Sequence, residues 1–235
     1  MNSAKAFAPA NISCIFKIYE HKNPRWVGSY GLGFTLNEGV IVEVSRAKRN
    51  EVVFNDASVR FPTIISVINK LTKEKIRIYV KSNLPLGCGF GLSGASALAS
   101  AYAINDLLRL KKSKKELAVI AHTAEVENKS GLGDVVNQFY GGFCIKSRPS
   151  SYFRVEKLPL GNIDVYCGHF GKISTKSIIG NVKIRNKMNN AANNSLNKIQ
   201  NLTKYNKNKM KFKDIICISK EFAANSGLLK DKKII

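Results

Sequence analysis

The sequence is poor in acidic residues: it has 16 aspartates and glutamates against 38 lysines and arginines, a formal net charge of +22. Such an excess predicts attraction to anions, whether nucleic acid, an anionic membrane or small phosphorylated molecules. The lysines are scattered and are densest after Lys172, where asparagines are interleaved with them. No arginine-rich helix and no RNP-type aromatic motif accompanies them, so a lysine and asparagine bias on a solvated surface is favoured. We expect no specific nucleic-acid partner, although the charge predicts nonspecific polyanion binding at low salt.

Long apolar runs and paired cysteines are also lacking. No run reaches the roughly 18 residues of a membrane helix, and the N-terminus has no signal-peptide core. The cysteines show no CxxC pair, which argues against a disulfide framework or a zinc site and fits a reducing compartment; they are Cys14, Cys88, Cys144, Cys167 and Cys217. We therefore expect a soluble, cytoplasmic protein without a membrane partner. With 235 residues, 44% of them hydrophobic, the chain can form one large domain or two small ones.

Glycine, by contrast, is concentrated at the start of residues 83–108, NLPLGCGFGLSGASALASAYAINDLL. Four glycines fall within eight residues, and the segment after them is rich in alanine and leucine at helical spacing. Glycine permits positive φ and lets a ligand approach the bare backbone. Free N–H groups at a helix N-terminus attract phosphate. The pattern predicts a phosphate-binding loop before a buried helix; a turn that only packs a helix closely is the alternative.

Three phosphate motifs can be compared with this loop. The P-loop pattern GxxxxGK[ST] fails because no lysine follows these glycines. The dinucleotide pattern GxGxxG matches at Gly89, Gly91 and Gly94, but a lysine-rich turn and a second helix follow where a strand ending in an acid is required. The segment PLGCGFGLSGA, residues 85–95, instead resembles the P-x3-G-L-G-S-S-A loop of the GHMP kinases (galacto-, homoserine, mevalonate and phosphomevalonate kinases). It is most similar to the GCGFG[LM]SGA form of the archaeal pantoate kinase branch.

This resemblance implies which residues bind ATP. Leu92 stands where most family members have the first serine, and Ser93 keeps the second, which the resemblance assigns to Mg-ATP. The implied ATP-binding residues are Pro85, Leu86, Gly87, Cys88, Gly89, Phe90, Gly91, Leu92, Ser93 and Gly94.

A second motif lies in residues 113–142. Ser113 and Glu116 form a capping box that predicts a helix to about Lys129, with Gly131 as its C′ residue. Residues 121–142, AHTAEVENKSGLGDVVNQFYGG, resemble the pattern AHxAExxNxTGLGDVxAQxxGG of archaeal pantoate kinases.

Two acids in this motif are candidates for catalysis. The resemblance implies that Glu125, with Ser93, ligates Mg²⁺ and that Asp134 is the base toward the substrate hydroxyl. From the residues alone, other roles stay open: Asp134 as a helix N-cap, and Glu125 as a solvated carboxylate paired with a lysine one turn on. Two acids nine positions apart, framing glycines downstream of a phosphate loop, favour the catalytic interpretation.

Three further residues are candidates for binding the substrate. The loop EHKNPRWVGSYGLGF, residues 20–34, resembles a pantoate kinase loop whose histidine and serine contact pantoate, which implies the same for His21 and Ser29. From the residues alone, a hydrogen-bonded loop histidine without a function stays open for His21. Lys146, which follows the second motif, stands where archaeal pantoate kinases have an arginine that holds the substrate carboxylate. Lysine keeps the charge but loses the bidentate geometry, and Arg148 is close enough in sequence to substitute.

The predicted elements put most strands before most helices, which favours an α+β fold over a doubly wound sheet. The resemblance implies a GHMP-kinase-like fold, with an N-terminal ribosomal-protein-S5-like α/β domain in residues 1–149. Residues 150–235 would form a C-terminal α+β domain that looks truncated, because family members continue past this point. Strands are predicted in residues 6–19 (broken at Pro9), 39–47, 51–55, 75–81, 142–146, 153–158 and 164–168. Helices are predicted in residues 61–71, 95–108, 114–129, 176–185, 193–205 and 212–226.

Taken together, the resemblance implies phosphorylation of the hydroxyl of pantoate by ATP and Mg²⁺, giving 4-phosphopantoate in coenzyme A biosynthesis. The expected partners are pantoate and ATP, and a homodimer is left open. Two other classes stay open: an inactive GHMP-like fragment or pseudokinase, and a basic nucleic-acid-binding module.

Overall fold

A long antiparallel hairpin of two strands forms the frame of the fold in the computed structural model, which describes residues 2–161, 163–169, 171–172, 175–206 and 211–229. The second strand of the hairpin has two further partners on its other edge. One pairs with its C-terminal half and the other with its N-terminal half. The described strands form one mixed sheet in the order β4-β3-β5-β2-β6-β7, with β1 on β2. Their bounds are β1 (Ser3–Tyr19), β2 (Gly28–Arg46), β3 (Glu51–Phe54), β4 (Ala57–Ser58), β5 (Ile76–Lys81), β6 (Phe143–Lys146) and β7 (Glu156–Leu158).

Strand β1 is irregular near its middle. Its pairing with β2 shifts register between Pro9 and Asn11 and again between Ser13 and Ile15. Proline cannot donate to a ladder, so it is tolerated on an edge strand and at a bulge. The strand nevertheless continues from Ser3 to Tyr19, so the predicted break at Pro9 is wrong and a bend stands in its place. At this bend the backbone N–H of Asn11 donates to the carbonyl of Phe90 over 3.0 Å. The bend therefore ties β1 to the glycine loop.

The central helix packs against β1, β2 and three other helices. Alanines fill its faces, so neighbouring backbones approach closely; Ala95, Ala97, Ala99, Ala101 and Ala103 are all fully buried. The described helices are α1 (Pro62–Leu71), α2 (Leu92–Leu108, the central helix), α3 (Lys114–Glu127), α4 (Asp134–Tyr140), α5 (Thr175–Gly180), α6 (Val182–Asn206) and α7 (Phe212–Ser226).

Helix α3 begins as predicted and ends differently. Ser113 Oγ accepts from the N–H of Glu116, and the Glu116 carboxylate accepts from the N–H of Ser113, which completes the capping box. At the other end Lys129 takes the left-handed conformation, with φ of 54°. The prediction of Gly131 as the C′ residue is therefore wrong; the helix stops two residues earlier.

A second hydrophobic core joins the hairpin to the last two helices. Met188 of α6 and Phe222 of α7 are buried with Ile15, Ile18 and Leu32 of β1 and β2. The Asn189 side chain bonds both backbone groups of Ile18, accepting over 2.8 Å and donating over 3.1 Å. The hairpin thus carries one core under α1 to α4 and another under α6 and α7.

Several predicted boundaries are wrong. The glycines of the predicted loop 20–34 lie in β2, which begins at Gly28; a Cβ at Gly31 would collide with the carbonyl of Ile15, so this strand needs glycine to pair with β1. Residues 164–168 form no strand, and Tyr166 there is 98% exposed. Strand β7 begins only at Glu156, because Phe153, which follows a 3₁₀ turn at residues 150–152, has the left-handed conformation with φ of 49°.

The predicted helices 176–185 and 193–205 are also divided differently, because α5 ends at Gly180 and α6 is continuous from Val182 to Asn206. The mixed α+β prediction itself is confirmed. The predicted division between residues 149 and 150 stays a prediction; β7, which follows it, pairs with β6, which precedes it. Among the described residues, no helix has both the length and the apolar character needed to cross a membrane.

Candidate active site

A cavity of about 580 Å³ lies where the glycine loop, the α3–α4 loop and the start of α5 meet. Its wall includes Ser13, Ser29, Ser93 and Asp134, together with backbone of Gly87, Gly89 and Gly91. A larger, more open cavity of about 830 Å³ lies between β3, α1 and Glu127, and it contains none of the predicted site residues. The smaller cavity is therefore the candidate site.

The glycine loop has the backbone that the sequence predicts. Gly87, Gly89 and Gly91 all have positive φ, of 84°, 90° and 61°. A Cβ at Gly89 would meet nothing within 4 Å, so the space beside this backbone is open to a ligand. The first hydrogen bond of α2 runs from Ala95 N to Gly91 O, and no side chain of the described residues caps its N-terminus. The first N–H groups of this 17-residue helix are consequently available to an anion.

Glu125 is fully buried, and neither of its carboxylate oxygens has a hydrogen-bond partner among the described residues. Burial, with the nearby charge of Asp134 as a second cause, raises its pKa well above the ordinary value; the N–H of Val135, which is near the carboxylate but outside hydrogen-bonding geometry, opposes the shift. The solvated ion pair with a lysine one turn on, considered for Glu125 from the sequence, is therefore wrong. The neighbouring acid that does form an ion pair is Glu127, whose carboxylate lies 2.8 Å from Lys70 Nζ.

Glycines make the space that Glu125 occupies. A Cβ at Gly94 would lie 3.0 Å from Glu125 Oε2, and one at Gly131 would collide with the same carboxylate. The Gln138 Oε1 atom is also buried, has no partner in the described part of the chain and lies 2.9 Å from the position of a Cβ at Gly94. The Gln138 Nε2 atom donates to Gly91 O over 2.8 Å. Unpartnered oxygens beneath a phosphate-type loop fit a hard cation such as Mg²⁺.

Asp134 is the first residue of α4, and the N-cap is Gly133. Its Oδ1 accepts from Asn11 Nδ2 over 2.7 Å and from Ser13 Oγ over 3.2 Å. Asp134 is therefore not the helix N-cap considered from the sequence. The carboxylate lies at the cavity wall, bonded to β1.

The three predicted substrate residues lie in different places. Ser29 is buried, lines the cavity and donates its N–H to Ser150 Oγ over 2.9 Å. His21 is exposed and outside the cavity lining, and its Nδ1 accepts from Asn23 N over 3.0 Å. Lys146 is 4% exposed and is also outside the lining. Its Nζ donates to Asn137 Oδ1 over 3.0 Å and to Gly133 O over 3.4 Å.

Sequence reasoning did not single out the amides near Asp134. Asn137 and Gln138 follow it by three and four positions, which places all three on one helical face, and that spacing is the signal that identifies them. Asn11 stands in the bent part of β1, far away in the chain. Three cationic side chains at the cavity wall were also not predicted as site residues: Arg60, Lys129 and Lys176.

Comparisons with known proteins show what the chain is similar to. The family model described as GHMP kinases N terminal domain matches residues 62–142. Pantoate kinase of Methanocaldococcus jannaschii is 35% identical over 233 residues, which span 96% of this chain and 82% of that protein. Pantoate kinase of Methanospirillum hungatei is 28% identical over 95% of this chain and 76% of its own length. A solved structure described as a phosphotransferase related to the CoA biosynthesis pathway superposes with a TM-score of 0.79 at 25% identity, over 97% of this chain and 77% of that one.

Proposed function

The chain belongs to the GHMP kinase family, and from that premise we propose that it transfers the γ-phosphoryl group of ATP to the hydroxyl of pantoate. It is a small-molecule kinase with the α+β fold of that family. The observation that supports the proposed chemistry best is the grouping of three features: the glycine loop and the half-buried Asp134 line one cavity, and the fully buried Glu125 carboxylate, which has no hydrogen-bond partner among the described residues, lies behind the cavity wall against Gly131.

The glycine loop would hold the phosphates of ATP. Its open backbone at Gly89 and the free N–H groups at the start of α2 present donors to an anion, and the helix dipole adds to the attraction. Phosphoryl transfer needs mainly positioning and stabilisation of charge. Arg60, Lys129 and Lys176 at the same wall add positive charge.

Ser93 and Glu125 would hold Mg²⁺ with the phosphates. Ser93 lines the cavity beside the loop, and Glu125 supplies a carboxylate that no described side chain neutralises. Among the described residues no three His, Cys, Asp or Glu side chains form a metal-binding group, so phosphate oxygens and water would complete the coordination, as is common for Mg²⁺. When bound, Mg²⁺ would neutralise charge on the transferring phosphates.

Asp134 would accept the proton of the acceptor hydroxyl. As that proton leaves, the hydroxyl oxygen forms its bond to the γ-phosphorus, and the bond from this phosphorus to the bridging oxygen of ADP breaks. Ser29, which lines the same wall, would bond a polar group of the acceptor. The role of His21 in binding the acceptor stays a prediction. The residue is exposed and lies outside the cavity lining.

The purified chain tests this proposal when it is incubated with ATP, Mg²⁺ and one of four acceptors: pantoate, homoserine, mevalonate or galactose. We expect ADP release and a phosphorylated product with pantoate, and at least about tenfold lower kcat/KM with the other three. A matched reaction with the Asp134→Asn variant controls for contaminating kinases. Preference for another acceptor would overturn the pantoate assignment, and no turnover with any of them would favour the inactive-fragment alternative.

A further inference from the structure

Four polar side chains form a continuous hydrogen-bonded chain beside the cavity. Lys146 Nζ donates to Asn137 Oδ1 over 3.0 Å, Asn137 Nδ2 donates to Asn11 Oδ1 over 2.9 Å, and Asn11 Nδ2 donates to Asp134 Oδ1 over 2.7 Å. The first three are buried, with 4%, 0% and 1% of their surface exposed. Only the last member, Asp134, reaches the cavity wall.

The two ends of this chain fix the orientation of the amides between them. An ammonium group can only donate, so the oxygen of Asn137 must face Lys146. An ionised carboxylate can only accept, so the nitrogen of Asn11 must face Asp134. The Asn137 amide nitrogen then meets the Asn11 oxygen, which is the arrangement observed. Every donor in the series therefore points the same way, toward Asp134.

The buried position of Lys146 needs an explanation beyond packing. Removing an ammonium group from water costs several kcal/mol, and apolar residues fill such a site at least as well. Both described hydrogen bonds of its Nζ go to the segment that carries Asp134, one to Asn137 and one to the carbonyl of Gly133. Lys146 is thus hydrogen-bonded to residues on both sides of Asp134 in the chain, and it does not line the cavity.

We propose that Lys146, Asn137 and Asn11 are positioning residues that hold the Asp134 carboxylate in its reactive orientation. The inference rests on the proposed function, in which Asp134 takes the proton of the acceptor hydroxyl. Among the described residues, both hydrogen bonds to Asp134 end on Oδ1. Oδ2 remains for the acceptor. This role for Lys146 differs from the one predicted from the sequence, in which it binds the substrate carboxylate.

Steady-state kinetics with pantoate and saturating ATP test the role. The variants Asn137→Leu and Lys146→Met each remove one link, and we expect each to lower kcat by about 10- to 100-fold, the effect of a misplaced catalytic group. The affinity for ATP should stay within about twofold of the wild type. Because the links act in series, the kcat of the double variant should be no lower than that of the less active single variant.

The Asp134→Asn background separates positioning from general structural damage. If the chain acts through Asp134, adding Asn137→Leu or Lys146→Met to Asp134→Asn should lower kcat no further. The matched control is Asn189→Leu, which removes two amide hydrogen bonds to Ile18 on the far core and should leave kcat unchanged. Wild-type kcat in Asn137→Leu, or a further tenfold loss in the Asp134→Asn background, would overturn the proposal.

A measurement without turnover decides the same question if the wild type phosphorylates none of the acceptors. The side-chain amide signals of Asn11 and Asn137 can be assigned by NMR from their disappearance in the Asn11→Ser and Asn137→Leu variants. Lys146→Met should shift both signals, since it changes the first donor of a connected series, whereas Asn189→Leu should shift neither. An Asn11 signal that does not respond to Lys146→Met would contradict the connection, whatever the enzyme's substrate is.

Discussion

The Glu125 carboxylate occupies the space that a side chain at Gly131 would need. The helix that carries Glu125 ends before this glycine, and the chain then passes over the carboxylate with no Cβ in the way. We therefore predict that Gly131→Ala displaces Glu125, destabilises the fold by about 1–3 kcal/mol, as overpacking does, and weakens Mg²⁺ dependence. Urea unfolding and rates against Mg²⁺ concentration measure the two effects. Gly168→Ala is the matched control, because a Cβ there meets nothing within 4 Å.

The Glu125→Gln variant should show the cost of burying this acid. Burial raises the pKa of Glu125 above its ordinary value of 4.5, so above that pH the unfolded chain releases a proton that the folded chain retains. The contribution of Glu125 to the free energy of unfolding therefore decreases as pH rises from 4.5 toward its raised pKa. Without Mg²⁺, we expect the glutamine variant to be more stable than the wild type at pH 8 and equal to it near pH 4. Its Mg²⁺ affinity should fall at least about tenfold.

Glu127→Gln is the control for that comparison, since Glu127 is a partly exposed acid paired with Lys70. Its loss should cost at most about 1 kcal/mol of stability. A Glu125→Gln variant that is less stable than the wild type at pH 8 would show that Glu125 is ionised and paired in the metal-free protein.

His122 should make the fold sensitive to acid. Burial lowers its pKa from 6.5 to about 4, opposed by the hydrogen bond to Val27 O and assisted by Lys146. Between pH 6.5 and 4 the unfolded chain binds a proton that the folded chain does not, so stability is full above 6.5 and falls toward 4. Between pH 6.5 and 4, the free energy of unfolding of His122→Gln should fall by about 3 kcal/mol less than that of the wild type. Urea unfolding at several pH values measures this difference. His169→Gln, at an exposed histidine, is the matched control.

Gly89→Val tests the approach of the phosphates to the loop backbone. A valine at φ of 90° is strained, but its Cβ would lie more than 4 Å from any other described residue, so the added side chain occupies ligand space. We expect ATP affinity to fall by more than about tenfold, measured by calorimetric titration. Gly161→Val imposes similar strain at φ of 68°, also with nothing within 4 Å, and lies outside the cavity. Equal ATP affinity in both variants would show that the loop backbone does not hold the nucleotide.

Much of the fold could be predicted because its signals are local. The alternation of Ile76–Lys81, the alanines of α2 and the Ser113–Glu116 box each fix one element through neighbouring residues. Residues 164–168 show the limit: their apolar residues suggest a strand, but no described strand lies beside them to pair with.

The site could be predicted only as far as its motifs reach. The glycine loop, Glu125 and Asp134 stand in motifs that can be read from the sequence. Nothing in the sequence reveals that Glu125 is fully buried, because a carboxylate within a helix usually faces water. The bond between Asn11 and Asp134 joins residues 123 positions apart, so it depends on the bend in β1 and is seen only in the folded chain.

The most direct test of the central claim is the turnover of the Asp134→Asn variant. Asparagine keeps the shape and an oxygen for Asn11 and Ser13 to bond, but it cannot accept a proton. We predict that the variant folds with wild-type stability to within about 1 kcal/mol, binds ATP with unchanged affinity and loses phosphorylation of pantoate by about 10²-fold or more. Steady-state kcat beside calorimetric ATP binding measures both quantities. Near-normal turnover in a folded, ATP-binding Asp134→Asn variant would contradict the assignment of Asp134 as the base.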